Sequence, residues 1–178
     1  MQRYKIIFGG TMGAGKTQAI RSLSEIDVVS TEAVNHDFES HSKLMTTVGI
    51  DYGEITLGED MKIGLYGTPG QNRFNFVWPI VAQGALGVVI LVDHTAAQPL
   101  ADLKDYLDAF EKVSSEIVIG VTHVDRRSER SMAMYRDFLS QRQRHYPLFS
   151  IDARERSDVL LLVETIVARL ESRMLLSA

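Results

Sequence analysis

Cysteine is absent from the 178 residues. That excludes disulfides, a thiol nucleophile, thiolate zinc sites, prenylation and palmitoylation. Residue 2 is glutamine, so the glycine that N-myristoylation needs is missing as well. No apolar run approaches the length of a membrane span, and the first residues lack a signal-peptide pattern. The expectation is a cytoplasmic protein with no direct membrane anchor, recruited to a membrane only through a partner. An excess of basic residues is lacking too: the formal net charge is -4, which gives no reason to expect nucleic-acid binding. The locally basic run 125–146 reads either as a solvated helix face or as a docking surface for an acidic partner.

What is present is an ordinary globular composition in a chain long enough for one domain with a sizeable core. Six strand-like apolar runs lie at 4–10, 47–57, 61–67, 84–93, 116–123 and 146–152. The second and third flank "GED" and read as a hairpin. "GVVILV" and "IVIGV" are continuously apolar, as central strands covered on both faces should be. Helical periodicity falls between them, at 16–24, 99–112, 129–143 and 156–174. In the last, Val159, Val163, Ile166, Leu170 and Met174 form a stripe that reads as core. The fold class that follows is a three-layer α/β sandwich, a six-stranded mostly parallel sheet with one antiparallel strand, over residues 1–178 as a single domain. The polar stretch 25–46 is long for a loop, and loops of that length tend to be functional.

"GTMGAGKT" at 10–17 satisfies G-x-x-x-x-G-K-[ST] in full, after a strand and before a helix. Its glycines let the backbone wrap and aim N–H groups at phosphate oxygens. Gly10, Met12, Gly13, Ala14 and Gly15 therefore read as the cradle, Lys16 as the β/γ-phosphate contact and Thr17 as a Mg²⁺ ligand. This points to nucleoside triphosphate binding without choosing a base.

With "TTVGIDYG" (46–53), "YGTPGQNRF" (66–74), "GVTHVD" (120–125) and "FSIDARE" (149–155) in the same order, the chain resembles the Ras-like small GTPases over essentially its full length. Its nearest likeness is to the bacterial MglA-type and conservon-type members. The resemblance implies a P-loop fold, bound GTP or GDP with Mg²⁺, and a regulatory switch that hydrolyses GTP slowly unless assisted. It implies Thr47, with Thr46 as alternative, as the switch threonine on Mg²⁺ and γ-phosphate. Gly70 takes the γ-phosphate glycine's place, and Gln71 that of the glutamine orienting the attacking water. "THVD" matches N-K-x-D: Asp125 would accept from the guanine N1–H and 2-amino group, with Thr122 and His123 in place of the usual asparagine and lysine. Asp152-Ala153 would supply a backbone N–H to the guanine carbonyl. The resemblance implies regulatory partners as well: an activating or exchange factor, of the Roadblock type found with bacterial relatives, and an effector.

The departures from the pattern are equally specific. Gly67 stands where the second strand normally ends in an aspartate supporting Mg²⁺; Asp93, ending the next central strand, is one carboxylate that could stand in, and reads equally as a cap or ion-pair partner. Met12 is placed to crowd an arginine brought by a partner, and Pro69 limits the backbone beside Gly70. No internal arginine finger is assigned; Arg73 reads as a surface residue. Phe74, Phe76 and Trp78 read as part core, part docking surface. Two other classes stay open: a nucleotide-dependent interaction module with negligible hydrolysis, and a P-loop small-molecule kinase.

Overall fold

The computed structural model describes residues 2–30, 49–71, 74–125 and 130–176. Within these residues seven strands form one sheet: β1 (Gln2–Gly9), β2 (Val29–Ser30), β3 (Asp51–Leu57), β4 (Met61–Gly67), β5 (Gly87–Asp93), β6 (Ile117–Thr122) and β7 (Leu148–Ser150). Their order is β2-β3-β4-β1-β5-β6-β7. β3 runs antiparallel to both neighbours, and the remaining pairings are parallel. The six expected strands are all present; the seventh is the two-residue edge pairing of Val29 and Ser30. Too short to show a period, it left no signal in the sequence.

Among the described residues five helices flank the sheet: α1 (Lys16–Leu23), α2 (Val77–Ala82), α3 (Pro99–Phe110), α4 (Ala133–Ser140) and α5 (Arg156–Leu176). On one face, Ile20 and Leu23 of α1 and Val159, Val163 and Ile166 of α5 pack on Ile6, Phe8, Ile63 and Leu91. On the other, Trp78, Leu103, Tyr106, Phe110 and Tyr135 from α2, α3 and α4 cover Ile7, Val88, Ile90 and Val92. β5 and β6 lie between both layers, which is why their runs are apolar without alternation.

The apolar stripe of α5 ends sooner than its periodicity suggests: Met174 is exposed. α4 is shorter than the expected 129–143. α2 was not anticipated; six residues containing a proline give too little period to read. Of the three aromatics after Gln71, Phe74 and Trp78 are buried and only Phe76 is exposed.

Parallel strands deliver their C-terminal ends to one edge of a sheet, where ligands of open α/β folds bind. Here that edge gathers the turn after β1, Gly67, Asp93, Thr122 and the turn after β7.

Candidate nucleotide site

The turn between β1 and α1 is built on positive backbone angles that side chains resist: φ is 144° at Gly10, 87° at Gly13 and 95° at Gly15. A Cβ at Gly10 would stand 2.3 Å from the Leu91 carbonyl oxygen, so the loop begins pressed against β5. Ala14 is fully buried beneath it. From β6, the buried Thr122 hydroxyl bonds to the carbonyls of Ala14 (3.0 Å) and Val92 (3.2 Å). One hydroxyl thus ties the phosphate loop to the sheet from asparagine's usual place.

Lys16 is 8 % exposed, and its Nζ donates to the carbonyls of Gly10 (2.7 Å) and Thr11 (2.8 Å). Burial pulls its pKa down to about 8, while the Asp51 carboxylate pulls it back up. The loop's partner across this space is Gly70. Its carbonyl accepts from the Met12 N–H at 3.2 Å, and a Cβ there would stand 2.5 Å from Met12 N and 2.8 Å from Lys16 Nζ. Only glycine allows this approach. Just before it, buried Thr68 binds the Phe8 carbonyl through its N–H (2.9 Å), and the Pro69 carbonyl accepts from the Trp78 indole (2.9 Å). Gln71 is exposed at the end of this segment.

Gly67 is paired across the hairpin with Asp51. A Cβ on Gly67 would stand 3.1 Å from the Asp51 Cβ and 3.3 Å from its Oδ2. The Thr17 hydroxyl donates to that same Oδ2, and Ser30 Oγ donates to Oδ1. A carboxylate from the facing end of β3 therefore stands beside the end of β4, where β4 itself has none. Asp51 was not singled out from the sequence, although a signal existed. Counting back from the 58–60 turn brings position 51 opposite position 67. Asp93 does not take this place; its Oδ1 accepts from Thr95 N–H (2.8 Å) and Oγ1 (2.6 Å) and faces His123 Nδ1 at 2.9 Å.

On the base side, Asp125 is exposed, two residues beyond His123. Ala153 packs on the loop, its Cβ 3.0 Å from where a Gly15 Cβ would be. The Asp152 N–H is donated to Asp158 Oδ2 (2.9 Å), which leaves Ala153 as the backbone donor to consider in that turn. The Asp152 carboxylate is held by Arg154 through its side chain and backbone N–H, and its pKa falls to about 2. Thr47, Thr46 and Arg73 lie outside the described residues.

Mg²⁺ favours hard oxygen ligands and is commonly held by one or two protein oxygens together with substrate phosphates. The Thr17 hydroxyl and Asp51 carboxylate, in contact beside the loop lysine, fit that requirement. Among the described residues no group of three or more histidines or carboxylates forms a metal cage, and no helix is long and apolar enough to cross a membrane.

Comparison with known proteins adds relatives at a distance. The chain is 27 % identical over 119 residues to the Ras-related protein Rab-10 of Caenorhabditis elegans, covering 65 % of this chain and 53 % of the relative. It is 27 % identical over 118 residues to the human Ras-related protein Rab-8B, covering 65 % and 51 %. Against the Ras-related protein RabC of Dictyostelium discoideum it is 21 % identical over 179 residues, covering 96 % and 85 %. The first two alignments span about half the length of those relatives. Residues 26–172 match the model of a family described as "Conserved hypothetical ATP binding protein", a match that begins after the phosphate loop. The chain belongs to that family, and its distant relatives are the Ras-related proteins.

Proposed function

We propose that the chain is a guanine-nucleotide switch that hydrolyses GTP to GDP and phosphate, slowly unless a partner assists. The observation that carries this reading is the contact between Gly70 and the phosphate loop. The Met12 N–H is one of the loop's donors toward phosphate, and the Gly70 carbonyl caps it at 3.2 Å. A γ-phosphate reaching that donor must displace the Gly70 peptide, and movement there pulls on the Pro69–Trp78 hydrogen bond. Triphosphate and diphosphate would thus be told apart by the position of residues 68–71.

The chain's own groups have defined parts in this scheme. Lys16 turns from its two carbonyls to the β- and γ-phosphates and neutralises charge developing during in-line attack by water. Thr17 and Asp51 would hold Mg²⁺, which would supply charge neutralisation at the phosphates. Gln71 would orient the attacking water, and Thr47 would add a ligand for Mg²⁺ and a contact to the γ-phosphate. Asp125 reads the guanine edge, with Ala153 donating to its carbonyl. The exposed Phe76 and Met12 flank this segment and offer an apolar surface to an activating protein, an exchange factor or an effector. Roadblock-type proteins and a bacterial MglA-like or conservon-like pathway are the partners and setting this reading favours.

A second reading, an ATP-binding module, has one specific support: the description of the family to which residues 26–172 belong. Identification of the nucleotide that co-purifies, followed by GTP and ATP affinities in Mg²⁺, separates the two. GTP or GDP in the protein and a preference for GTP are expected; an ATP preference overturns the switch reading. Single-turnover hydrolysis then tests the chemistry. Gln71→Ala should slow it at least tenfold, and parental turnover in that variant would remove Gln71 from the mechanism.

A further inference from the structure

His123 has φ 60°, the one positive φ among the described non-glycine residues. Histidine enters this left-handed region more readily than most side chains, yet the conformation still has a cost, and it persists where surroundings impose it. Two contacts do so here. Thr122, immediately before, is locked under the loop by its hydroxyl bonds. Asp93 Oδ1 stands 2.9 Å from His123 Nδ1.

Asp93 is itself held rigidly. It ends β5 directly opposite Thr122 of β6, and Thr95 donates to it through both N–H and hydroxyl. Its other carboxylate oxygen lies 3.9 Å from a Cβ built on Gly13, so the pair stands against the phosphate loop. Burial pushes the Asp93 pKa up, but the bonds from Thr95 and His123 outweigh it and leave the carboxyl below its ordinary value. The imidazole keeps 23 % of its surface exposed, and the exposed Asp125 follows two residues on.

We propose that Asp93 is a positioning residue that anchors the His123 imidazole as a platform for the purine base, so that base retention depends on the two acting together. This rests on the nucleotide-switch reading and adds to it the device that replaces a lysine stem. A ring held at Nδ1 presents a flat face on which a base can stack.

The test uses release of fluorescently labelled GDP and ADP from the parent, Asp93→Asn, His123→Asn and the double variant. Asparagine is chosen at 123 because it tolerates the left-handed backbone. Inorganic pyrophosphate, which has no base, is the second probe, its affinity measured by calorimetry on the same proteins. Each single variant should release the preferred nucleotide about tenfold faster, the double variant should release it no faster than His123→Asn, and pyrophosphate affinity should stay at the parental value. Additive effects in the double variant, or an equal loss for pyrophosphate, overturn the proposal by showing separate or purely structural roles. Unchanged release from His123→Asn overturns it alone, while a parent that binds neither labelled nucleotide overturns the switch reading with it.

Discussion

Lys16 carries the largest electrostatic consequence of a single side chain. A buried ammonium with a pKa near 8 binds fewer protons folded than unfolded between about pH 8 and 10.5. The unfolded chain holds the extra proton in that window, so stability rises with pH there. Relative to Lys16→Met, the ligand-free protein should gain up to about 3 kcal/mol from pH 8 to 10.5, measured by urea unfolding. Phosphates reverse the bias by favouring the ammonium. Nucleotide affinity should therefore fall as pH rises past about 8, with proton uptake visible when calorimetry is repeated in buffers of different ionisation enthalpy. Asp51 gives the second prediction at this scale. Asp51→Asn should raise the Mg²⁺ concentration needed for nucleotide retention about tenfold or more, read from release rates across a Mg²⁺ titration. Exchanging the two positions, Asp51→Gly with Gly67→Asp, returns a carboxylate to β4 without the 3.1 Å clash between Cβ atoms and should restore much of the loss. A swap no better than Asp51→Asn would argue against the relocated carboxylate.

At the scale of elements, the segment after β4 is fastened to α2 and α3 through one side chain. Trp78 is 1 % exposed, its indole bonds the Pro69 carbonyl, and its ring stacks on Tyr106 with centroids 3.9 Å apart. It is also the chain's single tryptophan. Its fluorescence should therefore change between GDP and a non-hydrolysable GTP analogue, and Trp78→Phe should cost about 1 kcal/mol from the lost hydrogen bond in addition to a packing loss. Identical spectra in the two states would mean that Pro69 does not move. At the opposite end of the sheet, the fully buried Glu116 is paired with Arg169 and Arg173 of α5, each at 2.7 Å. Removing both arginines leaves a buried carboxylate uncompensated and should cost about 3 kcal/mol or more. Glu116→Gln keeps the hydrogen-bonding shape and should cost less; both are read from denaturant midpoints. These pairs join residues 53 or more positions apart, so periodicity in either helix or strand carried no trace of them.

The whole molecule behaves as a frame whose C-terminal strand edge gathers loops from across the chain. A ligand that binds only the folded frame stabilises it by mass action. GDP with Mg²⁺ at 100 times its dissociation constant should add about 2.7 kcal/mol, or roughly 5–10 °C in melting temperature. ATP at the same concentration should add little; an equal shift with ATP would favour the family's description over a guanine switch.

Much of this frame was legible beforehand because it depends on local chemistry. The glycine pattern of 10–17 dictates a phosphate-sized turn through φ angles that only glycine accepts cheaply, and that turn is present. Uninterrupted apolar runs at β5 and β6 required cover on both faces, and have it. What the sequence determined by itself was therefore the order of elements, the loop and its lysine. The tertiary structure alone decided which distant residues meet there. Hairpin register brought Asp51 to Thr17 in place of a side chain at Gly67, and the β5–β6 pairing brought Asp93 to His123. Backbone preference and periodicity act over a few residues, whereas a carboxylate's partner is set by strand register and packing between segments far apart in the chain.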